Sequence, residues 1–172
     1  MLNPAILHAC LLAGGLTASV SPADEVEINT RVTTGTGLSL AGGQGETLKA
    51  RSPAFVNLEA GFRLDRVSWL EVSGGVTMEL EDRVSVGLLP RVRGYVPTPR
   101  RLSFYLLAGV PVFVHPFTLI GGQGGMGFGV NVARRVTIIG ELTGTAFFAG
   151  TDLVEGSALG KFDAAVGLNV RF

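Results

Sequence analysis

KFDAAVGLNVRF, residues 161–172, places Phe162, Ala164, Val166, Leu168, Val170 and Phe172 at every second position. Lys161, Asp163, Ala165, Gly167, Asn169 and Arg171 stand between them. Successive side chains of a strand point to opposite faces, so this segment has one wholly apolar face and one largely polar face. An aromatic closing the apolar face suits a strand whose outer side meets hydrocarbon and whose inner side lines a polar lumen.

The same period recurs back along the chain from Asp24, and unbroken apolar parity delimits eight segments. The first is short, with Val26, Ile28, Thr30 and Val32 against Glu27, Asn29 and Arg31. A Gly-rich stretch over 34–52 reads as the longest loop. Next, Val56, Leu58, Ala60 and Phe62 oppose Asn57, Glu59 and Arg63; Leu70, Val72, Val76 and Met78 oppose Glu71, Ser73, Thr77 and Glu79. In the fourth and fifth segments, Val86, Leu88, Val92 and Val96 oppose Ser85, Arg91, Arg93 and Tyr95, and Leu102, Phe104, Leu106 and Val110 oppose Ser103 and Tyr105. The sixth and seventh set Met126, Phe128 and Val130 against Gln123 and Asn131, and Val136, Ile138, Leu142 and Phe148 against Thr137, Glu141, Thr143 and Thr145. A second longer loop over 149–160 leads to the terminal segment.

None of these apolar-face positions is charged, while nearly all strand charges share the opposite face. Alternation alone does not tell inside from outside, since a soluble barrel alternates as well. Two features favour lipid outside. The segments have about the 9–11 residues that a tilted strand needs to cross a bilayer, and an eight-strand interior has no room for so many Val, Leu and Phe side chains. The expected lumen set is Glu27, Arg31, Glu59, Glu71, Arg91, Arg93, Glu141, Lys161 and Asp163, joined by Asn57, Gln123, Thr143 and Tyr105. An unpaired buried charge is costly, so carboxylates are expected beside guanidinium groups, plugging the lumen. Pro90 and Pro111 fall inside segments and lack a ladder donor, which predicts a bulge or a shortened strand near each. The Gly run over 121–129 predicts a thin strip where another group approaches the backbone closely.

The composition agrees with one domain in a membrane. The 172 residues have a mean hydropathy of +0.41, and 14 basic residues balance 14 acidic ones, which disfavours a nucleic-acid face. After the N-terminus no apolar run reaches the ~18 residues of a transmembrane helix. Residues 1–23 read as a secretory signal peptide cleaved between 18 and 23, and 24–172 as the barrel domain. No Lys or Arg precedes the apolar run, so the n-region is weak or the start codon is displaced. Leu7-His8-Ala9-Cys10 faintly resembles a lipoprotein cleavage box, which would make the lone Cys10 a lipid anchor instead.

Motifs for chemistry are sparse. Gly122, Gly124 and Gly127 match GxGxxG, with Glu141 further on, but the residues that follow alternate with period 2. A dinucleotide site needs a helix there, so the match is a decoy. No His, Cys and carboxylate spacing suits a metal, and no cofactor is expected. His115 is the one histidine beyond the signal segment, with no Ser or acid close in sequence.

With its signal-like start, eight alternating segments and terminal strand ending in Phe172, the chain resembles the small eight-stranded outer-membrane barrels, the class of the OmpA transmembrane domain and OmpX. The resemblance implies an all-β, closed, antiparallel up-and-down transmembrane barrel. It also implies that Ala164, Val166, Leu168, Val170 and Phe172 stand where the outer-membrane insertion machinery reads its signal. Implied partners are that machinery, periplasmic chaperones, outer-membrane lipids and lipopolysaccharide, with no nucleic acid and a monomeric state. The termini and the turns at 65–67, 97–100 and 133–135 would be periplasmic. The function expected is an envelope-structural or surface-interaction role without catalysis. The alternatives are a narrow or gated pore for small solutes, and a lipid A-modifying enzyme using His115.

Overall fold

The computed structural model describes residues 26–43, 46–64, 67–80, 84–98, 101–151, 153 and 158–172; the expected signal segment and Cys10 lie outside the described residues. Ten strand segments form one sheet: β1 Val26–Gly43, β2 Glu46–Leu64, β3 Leu70–Glu79, β4 Ser85–Leu88, β5 Arg91–Val96, β6 Leu102–Gly109, β7 Val112–His115, β8 Leu119–Asn131, β9 Val136–Gly150 and β10 Ala158–Arg171. All pairings are antiparallel, and the ring closes where β1 meets β10, from Asn29↔Arg171 to Gly42↔Ala158. β4 and β5 follow one another along β3, and β6 and β7 along β8, so the ten segments make eight staves. Hydrocarbon offers no partner to a backbone N–H or C=O, and closure removes the free edges that would need one.

The side chains settle inside from outside. Leu106, Leu142 and Val166 are 62%, 59% and 64% exposed on the outer wall, whereas Arg93 and Glu71 are 0% exposed within. A water-soluble barrel has the reverse arrangement, so this wall faces lipid. Exposed aromatics lie toward the two ends of the wall. Phe62, Trp69, Phe104 and Phe172 are at the end where β1 starts and β10 finishes, and Phe148 and Phe162 toward the other.

Both prolines interrupt the ladder as expected, Leu89-Pro90 between β4 and β5 and Val110-Pro111 between β6 and β7. Neither shifts the face. Leu89, Arg91, Pro111 and Phe113 point inward while Pro90 and Val110 point out. Each proline stays in the ladder through its carbonyl, Pro90 accepting from Val110 N at 3.1 Å and Pro111 from Gly121 N at 3.1 Å. Register shifts flank the breaks at Val86/Gly87 and Ile120/Gly121.

The loop expected over 34–52 does not form. β1 and β2 instead continue as one hairpin paired from Gly37↔Ser52 to Gly43↔Glu46, and β1 stays paired to β10 as far as Gly42. The first segment is therefore long, not short. The glycines here allow close approach of backbones and do not loosen the chain: a Cβ at Gly35 or Gly37 would collide with the carbonyl oxygens of Ala164 or Phe162. On its other side, among the described residues, β2 is paired to β3 only from Phe55↔Glu79, with Leu80 N bonded to Ala54 O. One half of the sheet, β2-β1-β10-β9, thus stands taller than the rest, with Lys49, Ala50 and Arg51 exposed on its hairpin.

Candidate functional site: the charged lumen

The closed register sets opposite charges side by side on the inner face. Arg31 of β1 lies across from Glu59 of β2, Glu71 of β3 lies between Arg63 of β2 and Arg93 of β5, and Glu27 faces Arg63. At the centre, three arginines meet three glutamates. Arg93 Nη2 is 2.6 Å from Glu59 Oε2 and 3.5 Å from Glu141 Oε1, and its Nη1 is 3.2 Å from Glu71 Oε1. Arg91 Nη1 is 2.8 Å from Glu59 Oε1 and 3.4 Å from Glu141 Oε2, while its Nε donates to Gln123 at 2.8 Å. Arg31 Nη1 reaches Glu71 at 3.4 Å and Glu141 at 3.7 Å. All six side chains are buried, and their formal charges cancel.

Neutral groups extend the pairing, although Arg31 Nε and Arg93 Nε are left without a hydrogen-bond partner among the described residues. Tyr95 donates to Glu71 at 2.8 Å, Tyr105 to Glu141 at 2.8 Å, and Asn29 to Glu71 at 3.1 Å. Ser73 accepts from Arg93 at 2.7 Å and donates to Glu59 at 3.2 Å. Tyr105 fits because β8 carries glycine opposite it. A Cβ at Gly127 would strike the Tyr105 ring, so the Gly run makes room for the aromatic that crosses the lumen. Charges satisfied from several sides at once avoid the penalty of a lone buried ion.

Of the residues expected in the lumen, Arg31, Glu59, Glu71, Arg91, Arg93 and Glu141 come together at the centre. Glu27 sits at the rim, 3.8 Å from Arg63. Lys161 pairs with Glu79 and stays apart from the central six. Asp163 faces the same side cavity as Lys161 and Glu79, and its Oδ1 has no hydrogen-bond partner. The alternation places Tyr95, Arg63 and Glu79 on the polar face, but the expected lumen set leaves them out; all three join the lumen network. Sequence reasoning missed an apolar plug toward the far end, where Phe113, Leu119 and Phe147 pack together with Phe117, Leu153 and Leu159. Phe113 and Phe147 lie on the polar parity of their strands; reading that parity for apolar residues as well as charges would have found them.

The terminal residues occupy the expected outer face: Val166, Leu168 and Phe172 are exposed, and Phe172 N bonds to Ile28 O at 2.9 Å. His115 ends β7 as an exposed residue opposite Val86, while Ser85 points into the lumen. No hydrogen bond or ion pair joins His115 to a serine or an acid among the described residues, and Ser157 lies outside them. Among the described residues no group of three His, Cys, Asp or Glu is placed to hold a metal.

No family model matches the sequence, and neither does any curated protein sequence. Solved structures do match in fold. Neisserial surface protein A shares 13% identity over 87% of this chain and 99% of its own, at a TM-score of 0.58. The N-terminal β-barrel domain of Pseudomonas aeruginosa OprF shares 12% over 83% and 97%, at 0.56. Ail, the attachment invasion locus protein of Yersinia pestis, shares 14% over 84% and 98%, at 0.51. All three are small outer-membrane barrels, and at these identities the fold is what this chain shares with them.

Proposed function

We propose that this chain, which has the fold of the small eight-stranded outer-membrane barrels, is an integral outer-membrane protein. In this reading it acts through its exposed wall and rim in an envelope-structural or surface-interaction role, and neither conducts solutes nor catalyses a reaction. The observation that carries the proposal is the neutral cluster of Arg31, Arg91 and Arg93 with Glu59, Glu71 and Glu141. These long side chains meet across the lumen from five different strands, and the Phe113, Leu119 and Phe147 plug lies beyond them. Passage of a solute would require breaking several buried charge contacts together.

The part left for interaction is the taller half-wall. Its hairpin carries Leu48, Lys49 and Arg51 exposed, beside a β2 margin that among the described residues is paired on one side only. The termini and the short turns of the opposite end face the periplasm in this reading, with outer-membrane lipid and lipopolysaccharide around the wall. The strand ending at Phe172 serves as the signal to the insertion machinery, delivered by periplasmic chaperones. Planar-bilayer recording of the pure refolded barrel tests the proposal. It predicts a silent membrane at all potentials, and reproducible openings of one size would overturn it in favour of a pore.

A further inference from the structure

Charge in the lumen is balanced overall but not locally. Moving from the central six toward the end where β1 starts and β10 finishes, the next charged lumen side chains among the described residues are Arg63, Glu27 and Arg171. Arg63 is shared between Glu27 and Glu71. Arg171 donates to Asn131 Oδ1 at 2.9 Å and pairs with no carboxylate among the described residues. Among the described residues, Arg63 and Arg171 against Glu27 leave the lumen side chains of this mouth with one positive charge beyond the neutral cluster.

A cavity opens there whose lining includes three guanidinium groups, Arg31, Arg63 and Arg171, and no carboxylate among the described residues. Arg31 is only 2% exposed, and while its Nη1 faces Glu71 and Glu141, its Nε has no hydrogen-bond partner among the described residues, and neither do the buried Nε atoms of Arg63 and Arg171. Unpaired donors on buried guanidinium groups are expensive, and the three arginines that carry these line one space. The planar fork of N–H donors matches the oxygens of phosphate and carboxylate. Groups arriving from β1, β2 and β10 suit a tetrahedral oxyanion better than a flat one. The barrel wall stands between this cavity and the lipid headgroups, so a ligand enters from the water.

We propose that this mouth is a binding site for a water-borne oxyanion of the phosphate class, held by Arg171 and Arg63 at the entrance and by Arg31 at its floor. The site is independent of which side of the membrane the mouth faces. It adds a ligand to a barrel otherwise read as inert.

The test is titration of the refolded protein in zwitterionic detergent with inorganic phosphate, read by calorimetry and by the arginine Nε–H resonances of the uniformly labelled wild type. Saturable binding is expected, with three Nε–H signals moving together. Arg171→Gln is expected to weaken binding about tenfold or more, as loss of a charge-assisted bond does. Arg134→Gln, in an exposed turn at the same end, is expected to leave it unchanged. Absence of saturable binding, or equal binding by Arg171→Gln, would overturn the proposal; the wild-type resonances decide it even if that variant fails to fold. Displacement of the phosphate by phosphatidylglycerol added to the micelle would overturn the assignment to a water-borne ligand.

Discussion

Arg93 is the most informative side chain to remove. It is fully buried and contacts all three central glutamates, Glu59 at 2.6 Å, Glu71 at 3.2 Å and Glu141 at 3.5 Å, as well as Ser73. Arg93→Met keeps much of the volume and the length but leaves the three carboxylates with Arg31, Arg91 and an Arg63 that Glu71 shares with Glu27. Breaking a buried ion pair from one side costs about 3–5 kcal/mol, because the remaining charge is stranded. Arg31 and Arg91 still neutralise part of it, so about 4 kcal/mol is expected. Adding Glu59→Gln restores neutrality, and the double variant should recover about 2 kcal/mol of the loss, a coupling within the range for residues in one network. Urea unfolding from lipid vesicles, followed by emission of Trp69, the one tryptophan, reads both quantities. A loss below about 1 kcal/mol for Arg93→Met, or strict additivity of the two changes, would refute the view that the lumen is a mutually compensated charge cluster.

Three further outcomes follow from the geometry. Val166→Arg, mid-way along β10 on the lipid face, should cost about 2–4 kcal/mol, and Phe148→Arg near the end of β9 only about 0–1 kcal/mol, by the same unfolding measurement. Gly127→Ala should destabilise by about 1–3 kcal/mol because the new methyl meets the Tyr105 ring, whereas Gly122→Ala, whose nearest neighbour is Phe148 at 4.0 Å, should be close to neutral. Deleting Phe172 should leave export intact and reduce the heat-modifiable, folded fraction recovered from the outer membrane; an unchanged fraction would remove this residue from the assembly signal.

Much of this fold is legible in the sequence because a barrel wall between lipid and lumen imposes a period of two on every stave. The terminal strand shows it without interruption, and the same parity places Arg31, Glu59, Glu71, Arg91, Arg93 and Glu141 on one face. Which of these meet is not legible. Arg31 touches Glu71 and Glu141 across the lumen, and that depends on the stagger of closed staves, which no local pattern encodes. The hairpin over 34–52 was hidden by its glycines, which look like loop composition but serve close backbone contact with β10. The Phe113, Leu119 and Phe147 plug was hidden for a different reason: an apolar residue on the lumen parity is invisible to a test that counts charges.

The most direct test of the account is a single-cysteine scan along β10 from 161 to 171, possible because the lone native cysteine, Cys10, precedes the barrel. A fluorophore at each position is challenged with brominated lipid. Quenching is predicted at 162, 164, 166, 168 and 170, with protection at 161, 163, 165, 167, 169 and 171. Uniform quenching, or quenching confined to the odd positions, would contradict a barrel that turns its apolar parity to lipid and its charges to the lumen.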